Sequence, residues 1–278
     1  MADIDSGALP RIETFVSELV ERFPGLIESV SVTGSAATSD WHSGRSDIDL
    51  VVSTWRPILE RDAPALADLH AATLASGTTA AGAIDGIYLT IDQVEDGPDQ
   101  VPTAPQVVDG VFRLDVPGDQ LSWVTWLELG GAPRAEVSGG QLGSWHPAPL
   151  AEPGVAERAA AFSTRNLESY WAPLGRDARR RSLLKRGSEP VSAAAVAWVV
   201  LGPPRLLVTI EQLRVVSKSE AGEFAAAAFP EHAALITRVL DWRRTGSGDF
   251  TASDAREATR LLSACVRRGT QTARGTTL

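Results

Sequence analysis

Cysteine occurs once in the 278 residues, at Cys265, so no internal disulfide can form and a reducing compartment is expected. Lysine is almost missing, with only Lys185 and Lys218, and residues 1–150 contain none. That first half carries 7 Arg against 22 Asp plus Glu, a balance of −15, whereas residues 151–278 carry 19 Lys plus Arg against 13 acids, a balance of +6. The split argues for two units with different electrostatic surfaces. An acidic first half disfavours docking on a long nucleic acid, whose binding is dominated by phosphate neutralisation, and favours metal ions and small cationic partners. Long apolar runs are also lacking. The longest, Ala193 to Leu201, falls well short of a bilayer span. The N-terminus shows neither a basic n-region nor an apolar h-region. These absences predict a cytoplasmic protein without membrane contact. A chain of this length, 44% hydrophobic and 22% charged, has room for two modest cores and the composition of a globular protein.

The most informative stretch is residues 32–52, VTGSAATSDWHSGRSDIDLVV. It leaves the apolar run Leu26 to Val32 at Gly34-Ser35, passes through a Ser/Gly-rich turn, and closes on Asp47-Ile48-Asp49 before Leu50, Val51 and Val52. Alternation along a strand points Asp47 and Asp49 one way and Ile48 and Leu50 into the core. Two carboxylates held side by side repel unless a cation neutralises both, which makes the pair a candidate clamp for a divalent metal such as Mg²⁺. Gly34 and Ser35 supply a backbone without Cβ and a hydroxyl donor, features suited to phosphate.

Taken in order, the spacing predicts a helix over 11–23 stopped by Pro24-Gly25, a strand over 26–32, a strand over 47–53, and a helix from Trp55 to about Ser76. A third strand spans 84–91 (IDGIYLTI), bounded by Gly82 and by Asp92-Gln93, a further strand 107–115, and a short helix 121–129. Residues 130–154, rich in Gly, Pro and Ser, form the expected boundary between a domain at 1–150 and one at 151–278. The second half reads as helices over 154–174, 191–201, 205–215, 217–228, 232–242 and 251–268, with Ser217 and Thr251 as N-caps. Gly202-Pro203-Pro204 is expected to break one of them.

Gly-Ser, a spacer and SDIDLVV resemble the signature of the nucleotidyltransferase superfold, the group containing polymerase beta and the small-molecule nucleotidyltransferases. The segment AWVVLGPPRLLVTIEQLRVVSKSEAGEFA resembles the helical domain of the aminoglycoside 3''- and 9-adenylyltransferases. This resemblance implies a polymerase-beta-like mixed α/β sheet followed by a helical bundle, and transfer of AMP from ATP with Mg²⁺ to a hydroxyl of a small cationic acceptor, an aminoglycoside or aminocyclitol. It implies Asp47 and Asp49 as metal ligands and a third carboxylate on a neighbouring strand, as metal ligand or base, for which Asp85 is preferred to Asp92. Gly34, Ser35 and Ser46 are implied as nucleotide contacts, with Arg205 and Lys218 clamping the phosphates from the helical domain across an interdomain cleft. Trp171, in SYWAPL, resembles an aromatic that stacks on streptomycin in that family, although the acid expected after it is not matched: Asp177 sits in the basic tract RDARRR. A monomer is expected. The alternatives are a nucleotidyltransferase acting on tRNA or a protein, and a non-catalytic nucleotide sensor; the intact D-x-D speaks against the sensor and the acidic first half against tRNA.

Overall fold

Pro10 in its first turn and Pro24-Gly25 beyond its last bracket the opening helix, α1 (Leu9–Arg22). A fixed φ suits a helix start and glycine suits its stop. Its buried stripe is Ile12, Phe15, Val16, Leu19 and Val20, the spacing of an amphipathic helix. This computed structural model describes residues 4–75, 83–118 and 120–275. The chain divides into two units, Met1–Val155 and Ala156–Leu278.

In the first unit α1 is followed by β1 (Ile27–Thr33), the one-turn helix α2 (Gly34–Ala37), β2 (Ile48–Thr54), α3 (Ala63–Ala75), β3 (Ile84–Thr90) and α4 (Ile91–Asp96). A 3-10 turn, β4 (Ala104–Val108), β5 (Val111–Val116), α5 (Trp123–Leu129), β6 (Pro133–Ser138), β7 (Gln141–Leu142) and β8 (His146–Pro147) complete it. The strands form one mixed sheet in the order β5-β4-β3-β2-β1-β6-β7, with β8 on β6. Among the described residues only β2 and β3 run parallel, and the crossover such a pair requires carries α3. Alternation separates two faces. Val30, Val32, Ile48, Leu50, Val52, Ile84 and Tyr88 join the core that α1 and α3 complete. Thr33, Asp47, Asp49 and Asp85 have the other parity and so share the other face.

Several expectations meet a different local structure. Residues 55–62 precede α3 as turn and coil, while Ser76 and Gly82 lie outside the described residues. The single strand expected at 107–115 is a hairpin, β4 and β5, closed by Asp109-Gly110 between the paired Val108 and Val111. The stretch 130–154 contributes β6, β7 and β8, because β6 pairs along β1 and an Arg134–Glu28 ion pair of 2.9 Å ties the two strands.

The second unit holds α6 (Val155–Asn166), a π-helical turn (Leu167–Trp171), α7 (Ala172–Leu183), β9 (Pro190–Val191), α8 (Ala193–Gln212), α9 (Lys218–Ala228), a 3-10 turn, α10 (Ala233–Thr245), β10 (Phe250–Thr251) and α11 (Ala252–Gly275). The expected break at Gly202-Pro203-Pro204 does not occur: α8 runs through both prolines. Each interior proline costs about 3 kcal/mol. Burying Val196, Val199, Val200, Leu201, Leu207, Val208 and Ile210 of α8 offsets this with roughly 10 kcal/mol or more. The continuous helix is 20 residues long with mean hydropathy 1.7, so by length and composition it could cross a membrane, as the shorter run read from sequence could not. It is packed by α9, α10 and α11 within the unit, the setting of a core helix. Cys265 is fully buried in the same core, which pushes its thiol up to about 12 and leaves it a packing residue. Ser217 caps α9 by accepting the Glu220 N–H at 3.0 Å, and Asp254 reaches back to the Thr251 N–H at 2.8 Å before α11.

His70 pins α3 to β3. The Ile84 carbonyl, 2.6 Å from Nδ1, can only accept, so Nδ1 carries the proton and Nε2 accepts from the Tyr88 hydroxyl at 2.7 Å. Burial pushes His70 down to about 4. The unfolded state therefore binds the proton first: the stability from a neutral His70 is full above its ordinary value of 6.5 and is lost as pH falls from there towards 4. The effect is on the order of 3 kcal/mol. Urea denaturation of wild type and His70→Gln should show a gap that narrows steadily from pH 7 to pH 5. A gap that stays constant with pH would refute the buried neutral histidine.

Candidate active site

Thr33 ends β1 opposite Asp49 of β2, and its hydroxyl donates to the Asp49 carbonyl at 3.4 Å. The chain then turns at Gly34 with φ of +63°. Residues with a Cβ avoid that region, and a Cβ here would in addition overlap the Asp49 carboxylate oxygen Oδ2. Glycine is required by both the turn and the close approach. The next residue, Ser35, donates its hydroxyl to the Asp47 carbonyl at 3.3 Å. Gly34-Ser35 and Asp47-x-Asp49 are thus one physical unit, joined at two points across 12 to 15 residues of chain.

The intervening turn is closed by its own polar groups. The Asp40 N–H donates to the Ser35 carbonyl at 3.1 Å, and His42 Nε2 lies 3.3 Å from Asp40 Oδ1. Ser46, expected among the nucleotide contacts, is buried, and its hydroxyl accepts the His42 N–H at 3.1 Å. Its place in the structure is that of a turn closure beneath Asp47.

Parallel pairing sets Asp85 of β3 opposite Asp49 of β2. Asp85 is only 6% exposed. Its Oδ2 accepts the Asp109 N–H at 2.8 Å and its Oδ1 the Gly110 N–H at 2.9 Å. Burial pushes the carboxyl up to about 6 against the pull of those two N–H groups, and the charges of Asp47 and Asp109 add to the rise. Asp92 is exposed in the first turn of α4, where Thr90 and Gln93 form the capping box, and is not the strand-end turn residue expected. The seven-residue strand β3 separates the two acids by roughly 20 Å, so only Asp85 shares a location with Asp47 and Asp49.

Asp47 and Asp49 offer what a hard divalent cation takes: oxygen donors on one strand face, beside a glycine cradle that a Cβ would fill. These residues fit Mg²⁺. Among the described residues no group of three or more His, Cys, Asp or Glu side chains is gathered to hold a metal ion. Asp85 lies opposite Asp49, and each of its oxygens accepts one N–H of the β4–β5 turn.

In the second unit, Arg205 donates through Nε to the Val216 carbonyl at 3.0 Å, just before the capped start of α9 at Ser217-Lys218. The two cations expected to act together are thus brought to one corner between α8 and α9. Trp171 is 6% exposed and packs on Trp198, 4.7 Å between ring centroids, and closely over Gly202, whose added Cβ would lie 2.5 Å from the indole. These contacts place Trp171 in the packed interior of the second unit. The Asp177 expectation resolves as local pairing, with Arg180 at 3.7 Å.

The residue pair that sequence reasoning missed is Asp109-Gly110. An Asp-Gly dipeptide between apolar residues is a strong hairpin signal. What it could not reveal is that the turn's N–H groups close on Asp85.

Two comparisons bear on this arrangement. Residues 12–69 match the family described as nucleotidyltransferase domain. No curated protein matches the chain. Among solved structures, the chain is similar to a spectinomycin adenyltransferase from Enterococcus faecialis, whose crystal structure is with ATP and spectinomycin. The TM-score is 0.59 at 11% identity, over 94% of this chain and 98% of that one. At that identity the likeness concerns the fold: a mixed sheet with helices followed by a helical part. The matched segment runs from α1 through the Gly34-Ser35 turn and the Asp47-x-Asp49 strand into α3.

Proposed function

We propose that the protein is a Mg²⁺-dependent adenylyltransferase that moves AMP from ATP to a hydroxyl of a small cationic acceptor, an aminocyclitol or aminoglycoside antibiotic. The observation that carries the reading is the register of β2 on β3, which sets Asp85 beside Asp49, on the strand face that Asp47 shares. The fold shared with an adenyltransferase crystallised with ATP and spectinomycin supports it. So does the −15 balance of residues 1–150, which suits a cationic acceptor.

In this reading Asp47 and Asp49 would hold the cation, whose chemistry there would be charge neutralisation of the triphosphate. Gly34 and Ser35 let the polyphosphate approach the backbone. The acceptor oxygen forms a bond to the α-phosphorus as the bond to the β-phosphate oxygen breaks; pyrophosphate leaves and the hydroxyl proton passes to Asp85. Arg205 and Lys218 stay implied as phosphate contacts by the resemblance alone. The carboxylates do not themselves contact long nucleic acid in this scheme, and a single buried thiol is consistent with a cytoplasmic setting.

The direct test incubates the protein with Mg²⁺, ATP and a panel that includes spectinomycin and streptomycin, following pyrophosphate and the mass of the antibiotic. A gain of one AMP on a panel member is expected, with acceptor KM rising as salt is added, since attraction to an acidic surface is screened over about 10 Å at 0.1 M. No adduct with any cationic acceptor sinks the reading. Asp49→Asn should reduce transfer by several orders of magnitude while the melting temperature holds, because shape is kept and charge removed. Gly34→Ala should be worse than Gly25→Ala in both stability and rate: each glycine has positive φ, yet only at Gly34 does the added Cβ meet a neighbour. Strain alone amounts to about 1–2 kcal/mol. Equal losses at the two glycines would count against the close packing of Gly34 on Asp49.

A further inference from the structure

Val108 pairs with Val111, and the two residues between them, Asp109 and Gly110, have φ of +53° and +72°. This is the two-residue hairpin turn that Asp-Gly favours. In such a turn the consecutive N–H groups ordinarily meet water. Here both are aimed at a single carboxylate that lies 24 and 25 residues away in sequence, Asp85, at 2.8 and 2.9 Å. Gly110 is buried with it. Asp85 is nearly sealed from solvent, so these two donors supply much of what water would otherwise give its charged form.

We propose that the Asp109-Gly110 turn is a positioning element for Asp85: its paired N–H groups fix the plane of the carboxylate opposite Asp49. The proposal rests on the reading of Asp85 as the group that takes the acceptor proton. Two N–H bonds use one lone pair on each oxygen, and the second lone pair of each remains to accept that proton. A carboxylate with a single donor could rotate about its terminal torsion, which is broad and soft. Two donors from one rigid turn remove that freedom, and catalysis by a general base depends on holding it within hydrogen-bond reach in a fixed direction. The element acts through Asp85 and touches no substrate. The positive φ at Asp109 and Gly110 suits the residues present: Asp and Asn accept that region better than other residues with a Cβ, and glycine accepts it freely.

The experiment has an arm that needs no acceptor. Amide hydrogen exchange followed by NMR should find the Asp109 and Gly110 N–H groups protected in the wild type and at least a hundredfold less protected in Asp85→Ala. Protection unchanged by that substitution would overturn the contact. The kinetic arm uses pyrophosphate release from Mg²⁺-ATP with spectinomycin, and with water, as acceptor. Inserting one glycine between Asp109 and Gly110 should lower kcat by 10- to 100-fold with the KM for ATP within twofold. The same insertion made in Asp85→Asn should lower it no further. If the two losses multiply, the turn does not act through Asp85 and the proposal fails. Should the inserted turn not fold, Gly110→Val gives a point perturbation of the same N–H, and Gly110→Asn, which tolerates positive φ, should recover most of the rate; equal loss in both would indicate a merely structural turn. A wild-type rate in Asp85→Asn is the separate result that removes Asp85 as base.

Discussion

A parallel pair of strands in an otherwise antiparallel sheet, β2 and β3, sets Asp85 opposite Asp49, and the chemistry of the first unit depends on that register. A slip of one residue would turn Asp85 into the apolar core and bring Ile84 or Gly86 to the polar face. Several features hold the register against such a slip. Ile48, Leu50, Val52, Ile84 and Tyr88 all bury on the side of α1 and α3. His70 of the crossover helix bonds both the Ile84 carbonyl and the Tyr88 hydroxyl, two points on one side of β3. The Thr54 hydroxyl donates to the Leu89 carbonyl at 3.1 Å at the far end of the pair.

Gathering Asp47, Asp49 and Asp85 on one face works against folding, because each negative charge disfavours the others. At Asp85 the structure meets this repulsion with backbone dipoles. Two N–H groups of the β4–β5 turn serve Asp85, and Gly34 lets the chain lie against Asp49 without a side chain intervening. The outcome is one carboxyl that burial pushes up to about 6 beside two half-buried ones on the same strand face.

In the second unit the balance is set by burial. A 20-residue apolar helix with two internal prolines persists because its neighbours α9, α10 and α11 cover it. Gly202, read from sequence as part of a break, instead makes room for the indole of Trp171.

Local signals sufficed for much of the first unit. The spacing of Ile12, Phe15, Val16, Leu19 and Val20 marks α1, alternation marks β2 and β3, and Gly-Ser with D-x-D marks the site and its family resemblance, since each depends on neighbours a few residues apart. The choice between Asp85 and Asp92 needed the register of β3 on β2, set by hydrogen bonds between strands more than 30 residues apart in sequence. The same holds for the Asp109-Gly110 turn: the dipeptide announces a hairpin, while its closure on Asp85 arises from how β4 lies on β3. The fate of Gly202-Pro203-Pro204 was decided by tertiary burial, which outweighs local proline propensity once a helix is surrounded. Periodicity is a property of one segment and can be read from it; register, burial and the partner of a buried carboxylate belong to pairs of segments, and only the folded chain brings those together.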